Sequence, residues 1–290
     1  MRLRVAKIID LHVHTKISDN SLTAEEVIKS AKEKGVTCLA ITDHDTTKGL
    51  REAIDYGNKS GVGIIPGIEI SAYDYKRNKR AHILGLYIEP EHPALDYLCA
   101  SLTESRNQAS REMVLRLFAA GYEITWEEVQ KYAEGGNGVY KQHIMHALLD
   151  NGYCESIYCD LYKELFRRGS GNEPQGLAHI PLEYIDARAA IRVVREAGGI
   201  AVLAHPGQLN NYDAIDEWVE LGLEGIEVFH PSHSKEDIRM SLKYAQKYNL
   251  VITGGSDFHG FYGEIPVELG CRELEVECIQ KLLIRKKNRN

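Results

Sequence analysis

An α/β barrel split by a long helical insertion is the architecture that this 290-residue sequence predicts. Three observations predict it. Apolar runs of strand length alternate with amphipathic segments of helix length at both ends of the chain, the pattern of parallel strands joined by right-handed crossovers. Between those ends, residues 93–180 keep helical periodicity and offer no good strand. Histidines and carboxylates recur near the end of one expected strand after another, and in parallel barrels that face carries the active site.

The elements follow in order. KIIDLHVH is an apolar run ending in polar residues and reads as a buried strand. Thr23 caps a helix over residues 24–34, with Glu26 at the capping-box position and Gly35 as its stop. VTCLAITDHD is the second strand, residues 47–60 the next helix, GVGIIPGIEISA the third strand and RAHILGLYI the fourth, all expected to run parallel. In the insertion, RNQASREMVLRLFAAGY is amphipathic, Thr125 caps TWEEVQKYA, and two further short helices follow. Gly135, Gly136 and Gly138 form one expected joint, and residues 170–176 another. The alternation then returns: helices over 183–197, 211–221, 235–248 and 275–286, with strands GGIAVLAHP, GIEVFHP and LVITGGSDFHG between them. The boundaries expected are 1–92 and 181–290 for the two parts of the barrel and 93–180 for a substrate lid. The basic end RKKNRN reads as a solvated tail.

Composition excludes several classes. A net charge of -7 disfavours long nucleic acid, which a basic surface would attract. No run approaches the roughly 18 to 20 apolar residues of a membrane helix. The N-terminus lacks a signal-peptide core, so a cytoplasmic location is expected. The six cysteines are scattered without a CxxC pair and read as reduced, packing thiols.

The chemistry resides in one constellation. His12, His14 and Asp19 follow the first strand, His44 the second, Glu69 lies on the third and His82 on the fourth. His205, then His230 and His233, then Asp257 and His259 follow the insertion. His12 and His14 are two apart on a strand and share a side, so both imidazoles can reach one ion. Asp257 and His259 repeat that spacing on another expected strand. The donor set exceeds what one tetrahedral zinc needs, so two or three divalent ions with shared carboxylates are expected. Asp43 and Asp45 flank His44 and are expected to orient its ring. Ser256 has no GxSxG context, so no serine nucleophile is indicated.

DLHVHTxxSD, AITDHDT, GIE, HILGL, LAHP and GSDFHG, in this order, resemble the polymerase and histidinol phosphatase (PHP) family over residues 9–88 and 199–260. The resemblance implies a distorted seven-stranded β/α barrel and a trinuclear site of manganese, iron or zinc. It implies that His12, His14, Glu69 and Asp257 hold a first ion, Glu69, His82 and His205 a second, and Asp19, His44 and His259 a third. Glu69 would bridge the first two. Asp257 and Glu69 are then catalytic as well as ligands, with His233 a third catalytic candidate. His233 and Ser232 have two readings, a substrate-phosphate contact or a loop hydrogen bond.

The insertion resembles the branch that hydrolyses nucleotide 3′,5′-bisphosphates, trims RNA from its 5′ end, or opens and dephosphorylates a cyclic ribose phosphate. In the nucleotide branch a Gly-Arg-Pro-His stretch stands where this chain has Tyr140-Lys141-Gln142-His143. Lysine offers a point charge in place of a bidentate fork, which leaves the cyclic-ester reading open. Lys141 and His143 are read as a clamp on the distal phosphate or sugar, or as a solvated helix start. Arg106 is the better arginine for a phosphate, because it is expected to open the inserted helix.

The expected reaction is attack of metal-bound hydroxide on phosphorus in a small ribose- or nucleotide-based monoester or cyclic diester. Alternatives are a 5′-3′ exoribonuclease on short RNA, a C–N amidohydrolase sharing the HxH pair, and a non-catalytic polymerase accessory domain. The early Asp19 and the TDHD stretch weigh against the amidohydrolase, and the intact ligand positions weigh against the accessory domain.

Overall fold

The structure is a computed structural model and describes residues 8–169, 171, 173–270 and 274–288. The first half begins with β1 (Ile8–Val13), α1 (Ala24–Glu33), β2 (Val36–Ile41), α2 (Leu50–Ser60) and β3 (Gly63–Asp74). β1, β2 and β3 pair in parallel, as the strand–helix alternation requires. The Thr23 capping box forms as expected: Thr23 Oγ1 accepts from the Glu26 amide at 3.3 Å and Glu26 accepts from the Thr23 amide at 2.8 Å. α2 starts three residues later than the sequence suggested and stops at Gly61, whose φ of +79° is left-handed.

β4 (Lys79–Leu86) corrects the expectation of parallel strands. It returns through a tight turn and pairs antiparallel with β3 over a ladder from Gly67–Leu86 to Asp74–Lys79. Asn78 in that turn takes a φ of +54°, a conformation asparagine tolerates. No helix separates the two runs, so a hairpin is the short connection available. The reversal matters for chemistry. His82 reaches the site from the first half of a strand, opposite Ser71, and not from a strand's C-terminal end.

The middle segment holds α3 (Pro93–Ala119), α4 (Trp126–Tyr132), α5 (Lys141–Asp150) and α6 (Asp160–Phe166). Its apolar faces form their own core, with Met113, Leu117, Ile144, Leu148 and Leu165 buried together. The start of α3 belongs elsewhere: Leu95, Cys99 and Leu102 pack in the main core with Ile68, Ile70, Ile191 and Trp218. A single 27-residue helix therefore ties the two cores together.

Then come β5 (Ile185–Asp186), α7 (Ala187–Glu196), β6 (Ile200–Leu203), α8 (Pro206–Leu209), α9 (Ile215–Glu220), β7 (Gly225–Phe229), α10 (Lys235–Tyr248), β8 (Val251–Gly254) and α11 (Glu277–Lys287). The strands form one mostly parallel sheet in the order β1-β2-β3-β4-β6-β7-β8, with β5 paired to β3 beside that path. Among the described residues this makes eight strands, not seven, and β4 runs antiparallel to both neighbours. The two ends of the path meet. Val13 and Phe258 form a parallel bridge, and the Asp257 amide donates to the His12 carbonyl at 2.9 Å. Ile9, Leu11, Ala40, Ile65, Leu84, Val202 and Val251, from six strands, pack together under Leu282 of α11.

That meeting of β1 and β8 depends on Gly255. A Cβ there would lie 2.3 Å from the His12 Cβ and 2.5 Å from the His12 backbone nitrogen. Gly255→Ala should lower the thermal midpoint, costing on the order of 3 kcal/mol because backbone atoms must shift. Thermal unfolding of the purified variant checks it, and an unchanged midpoint would show that the junction is loose.

The basic end of the chain departs from a free tail: Lys286 donates to the Tyr87 carbonyl at 2.6 Å. Its last two residues, together with Cys271, Ser170 and Asn172 of the expected second joint, lie outside the described residues. Among the described residues, no helix is long and apolar enough to cross a membrane.

Candidate metal centre

Around Glu69 the side chains of seven segments converge, and all are buried or nearly so. His12 Nε2 lies 3.2 Å from Glu69 Oε2, 3.3 Å from Asp257 Oδ1 and 3.2 Å from His14 Nε2. His14 Nε2 lies 3.2 Å from the same Glu69 oxygen and 3.1 Å from the same Asp257 oxygen. Five of the six separations in this quartet thus fall between 3.1 and 3.3 Å. That is the spacing of donors around one ion bound at about 2 Å.

Glu69 faces two ways. Its Oε1 lies 2.8 Å from His82 Nδ1 and 3.0 Å from His205 Nε2, while Oε2 also meets His44 Nδ1 at 3.3 Å. A third group gathers on Asp19: His259 Nε2 at 3.3 Å, His14 Nδ1 at 3.6 Å and His44 Nε2 at 4.0 Å. The structure thus brings all nine expected ligand residues into one cluster around Glu69, Asp257 and Asp19. It also places His14 and His44 each between two groups, where the sequence reading gave each a single ion.

Local structure explains the aim of these rings. β1 carries a register irregularity between Asp10 and Val13, so His12 and His14 turn inward at the end of the strand. Glu227, buried on β7, lies 3.1 Å from His12 Nδ1 and accepts from the His205 amide at 2.8 Å. A proton on His12 Nδ1 shared with Glu227 leaves the Nε2 lone pair for the quartet. His259 Nδ1 similarly meets the Asp257 carbonyl at 2.7 Å, leaving Nε2 toward Asp19. Asp257 and His259 do not lie on a strand as expected. They follow β8 in a loop where Asp257 takes a φ of +51°, and the pair divides between two groups. Asp45 (+56°) and His205 (+23°) also have positive φ, so three strained backbone positions lie at this site.

The electrostatics ask for cations. Burial alone would push Glu69 and Asp257 up, yet the facing histidines hold both well below the ordinary carboxylate range. Burial opposes protonation of His14, but contacts to Asp257 and Glu69 raise it to about 10. The quartet thus calls for positive charge at its centre. Asp19 Oδ1, Asp257 Oδ1, His82 Nε2 and His205 Nδ1 are buried without a hydrogen-bond partner. Three buried carboxylates, Asp19, Glu69 and Glu227, share this space with the partly buried Asp257, and such charge persists only when paired or coordinated. The oxygen and imidazole donor set fits divalent ions of the zinc, manganese or iron kind.

Several sequence readings change. His233 gives both ring nitrogens to backbone, Nδ1 to the Val228 carbonyl at 2.9 Å and Nε2 to the Gly207 amide at 3.2 Å. That is the loop hydrogen-bonding reading, and it leaves His233 no free atom for catalysis. His230 lies 3.3 Å from Asp257 Oδ2, behind the expected ligand, and lines the cavity with Ser232, whose hydroxyl meets His230 Nδ1 at 2.7 Å. Arg106 does not open α3 but lies at its middle, donating to Asp45 Oδ2 at 2.6 Å and stacking over Tyr140. Asp43 and Asp45 do not orient the His44 ring. Asp43 binds Thr15 and Ser18 at 2.6–2.8 Å and so fixes the turn between His14 and Asp19, while Asp45 accepts from the Ser71 amide at 2.7 Å. His143 is buried and accepts from the Tyr140 amide at 3.0 Å, so it caps α5 from inside. Burial pushes it down to about 4. His179 lines a larger cleft beside this site.

Glu227, Arg80 and Gln142 were missed. Glu227 carried a signal, an acid inside the apolar run GIEVF. Gln142 donates to Asp19 Oδ2 at 3.2 Å from α5, a contact no local pattern encodes. The metal groups open on a cavity of about 220 Å³ that includes Asp19, His82, His205, Asp257, Gln142 and Tyr158.

Comparison with known proteins agrees with this geometry. The PHP domain family matches residues 10–168. A phosphoribosyl 1,2-cyclic phosphate 1,2-diphosphodiesterase of Eggerthella lenta is 46% identical, over 89% of this chain and 96% of that protein. A 3′,5′-nucleoside bisphosphate phosphatase of Chromobacterium violaceum is 32% identical, over 87% of each chain. A 5′-3′ exoribonuclease of Escherichia coli is 34% identical, over 88% of this chain and 86% of that one. A crystal structure described as a metal-dependent phosphoesterase, from Bifidobacterium adolescentis, superposes with a TM-score of 0.85 at 28% identity, covering 97% of this chain and 96% of that chain. With the motifs, the converging donors and these relatives in agreement, the chain belongs to the PHP domain family of metal-dependent phosphoesterases.

Proposed function

We propose that this chain hydrolyses a small ribose-based phosphate, a monoester or a cyclic diester, at the site centred on Glu69. The observation that carries the reading is the convergence of imidazole and carboxylate donors on the two oxygens of that one residue. His12, His14, Glu69 and Asp257 would hold one ion, and Glu69 with His82 and His205 a second. Asp19, His44 and His259, with His14 beside them, would hold a third. Divalent ions in such groups supply Lewis acidity toward phosphoryl oxygens and offset charge on the leaving oxygen.

The chain's own residues do the rest. Glu227 fixes the tautomer of His12, and His230 steadies the second oxygen of Asp257. Gln142, which also donates to the Tyr158 hydroxyl, brings the helical segment against Asp19, so residues 93–180 act as the wall that selects the substrate. A cavity of this size admits a sugar phosphate more readily than a polynucleotide.

The test is a release assay on metal-loaded protein with four substrates: a phosphoribosyl cyclic phosphate, a nucleoside 3′,5′-bisphosphate, a short RNA and histidinol phosphate. The expected result is phosphate-ester hydrolysis fastest on one of the first two, without ammonia release from amide substrates. Preference for the RNA would favour 5′-end trimming. Ammonia release without any ester hydrolysis would overturn the reading.

A further inference from the structure

Beside the metal cavity lies a larger cleft of about 800 Å³ between β3, β4 and the helical segment. Its lining is basic and aromatic. Arg80, Lys141, Lys163, Arg167 and Arg168 face it, with Glu183 the one carboxylate among the described residues. A smaller cavity of about 160 Å³ shares lining residues with both, His44 and His82 with the metal cavity and Lys141 with the cleft. Arg80 lines all three spaces. It stands two residues before His82 on β4, so both side chains leave the strand on the same side.

Most cations around the sheet already have an acid. Arg77 pairs with Asp74 at 2.8 Å, Lys79 with Asp213 at 2.9 Å and Arg106 with Asp45 at 2.6 Å. Among the described residues, Arg80, Lys141 and Arg168 form no ion pair. Arg80 Nε is buried without a hydrogen-bond partner. Its guanidinium carbon lies 5.4 Å from the centre of the Tyr184 ring, and Lys141 Nζ lies 4.9 Å from that of Phe166. Burial, with Arg80 and Arg168 nearby, pushes Lys141 down to about 8, the sign of cations gathered without an anion. Those ring faces are occupied by cations, so they are poorly placed to stack a base. The ligand chemistry that fits is a phosphoryl group.

We propose that Arg80 is the specificity-determining residue of this enzyme. It grips the non-reacting phosphate of a ribose substrate that carries two phosphoryl groups, with Lys141 and Arg168 as its partners. The reacting group then lies at the metal groups and the second phosphate at the mouth of the cleft. This assignment rests on the phosphoesterase reading of the Glu69 site.

The experiment compares two substrates on metal-loaded wild type, Arg80→Ala and Arg80→Lys. One is a phosphoribosyl cyclic phosphate, the other the ribose cyclic phosphate lacking the 5-phosphate. Wild type should favour the first in kcat/KM, mainly through KM. Arg80→Ala should reduce that preference by about 30-fold, the worth of one charge-assisted contact of roughly 2 kcal/mol. Arg80→Lys should restore part of it. Equal losses on both substrates would overturn the proposal, because a merely structural arginine acts on both. Calorimetric titration with ribose 5-phosphate gives a second readout, independent of turnover. Binding should weaken about 10-fold or more in Arg80→Ala. Weakened binding with no ester hydrolysis in any variant would sink the phosphoesterase reading alone, and unchanged binding would sink this one.

Discussion

Asp257→Asn should abolish phosphate-ester hydrolysis, by about three orders of magnitude or some 4 kcal/mol of transition-state stabilisation, while the protein stays folded. The asparagine keeps the size of the side chain. It removes the negative charge that lies 3.3 Å from His12 and 3.1 Å from His14. It also takes the Oδ1 that faces both imidazoles out of the quartet, or turns an amide N–H toward them. The fold should survive because the backbone contact joining β8 to β1 runs through the Asp257 amide, which the substitution leaves in place. Rates on the preferred substrate, with circular dichroism of the same sample, check it. A near-normal rate with an intact spectrum would show that Asp257 is not part of the centre.

Glu69→Gln should act more broadly, because both oxygens are committed. Oε2 meets three histidines at 3.2–3.3 Å and Oε1 two more at 2.8 and 3.0 Å. An amide can present an acceptor to one side only, and its N–H₂ would oppose imidazole lone pairs on the other. The expected outcome is loss of more than half the bound metal together with at least about 10³-fold in rate. Metal content and turnover measured on one preparation decide it. Loss of rate with full metal content would make Glu69 a substrate contact and not a bridge.

Much of this site was legible in the sequence because strand ends are locally encoded. His12, His14, His44, His205 and Asp257 each follow an apolar run, and the topology alone sends such positions to one face. The β3–β4 hairpin was less legible. The runs GVGIIPGIEISA and RAHILGLYI read as strands either way, and only the missing helix between them marks a reversal. Contacts that cross from the helical segment could not be read at all. Arg106 was expected at a helix start, and its mid-helix pairing with Asp45 depends on how α3 lies over β3. His233 kept two readings for a related reason: the backbone groups that claim its ring come from residues 207 and 228, on other segments or the far side of its loop.

The central claim is that side chains from both ends of the chain trap several divalent cations around Glu69. Metal analysis of the purified chain, reloaded with manganese, iron or zinc and then freed of loose ions, tests it most directly. Two or three tightly held ions per chain are expected. A chain that retains none of these metals, while still folded, would contradict the account.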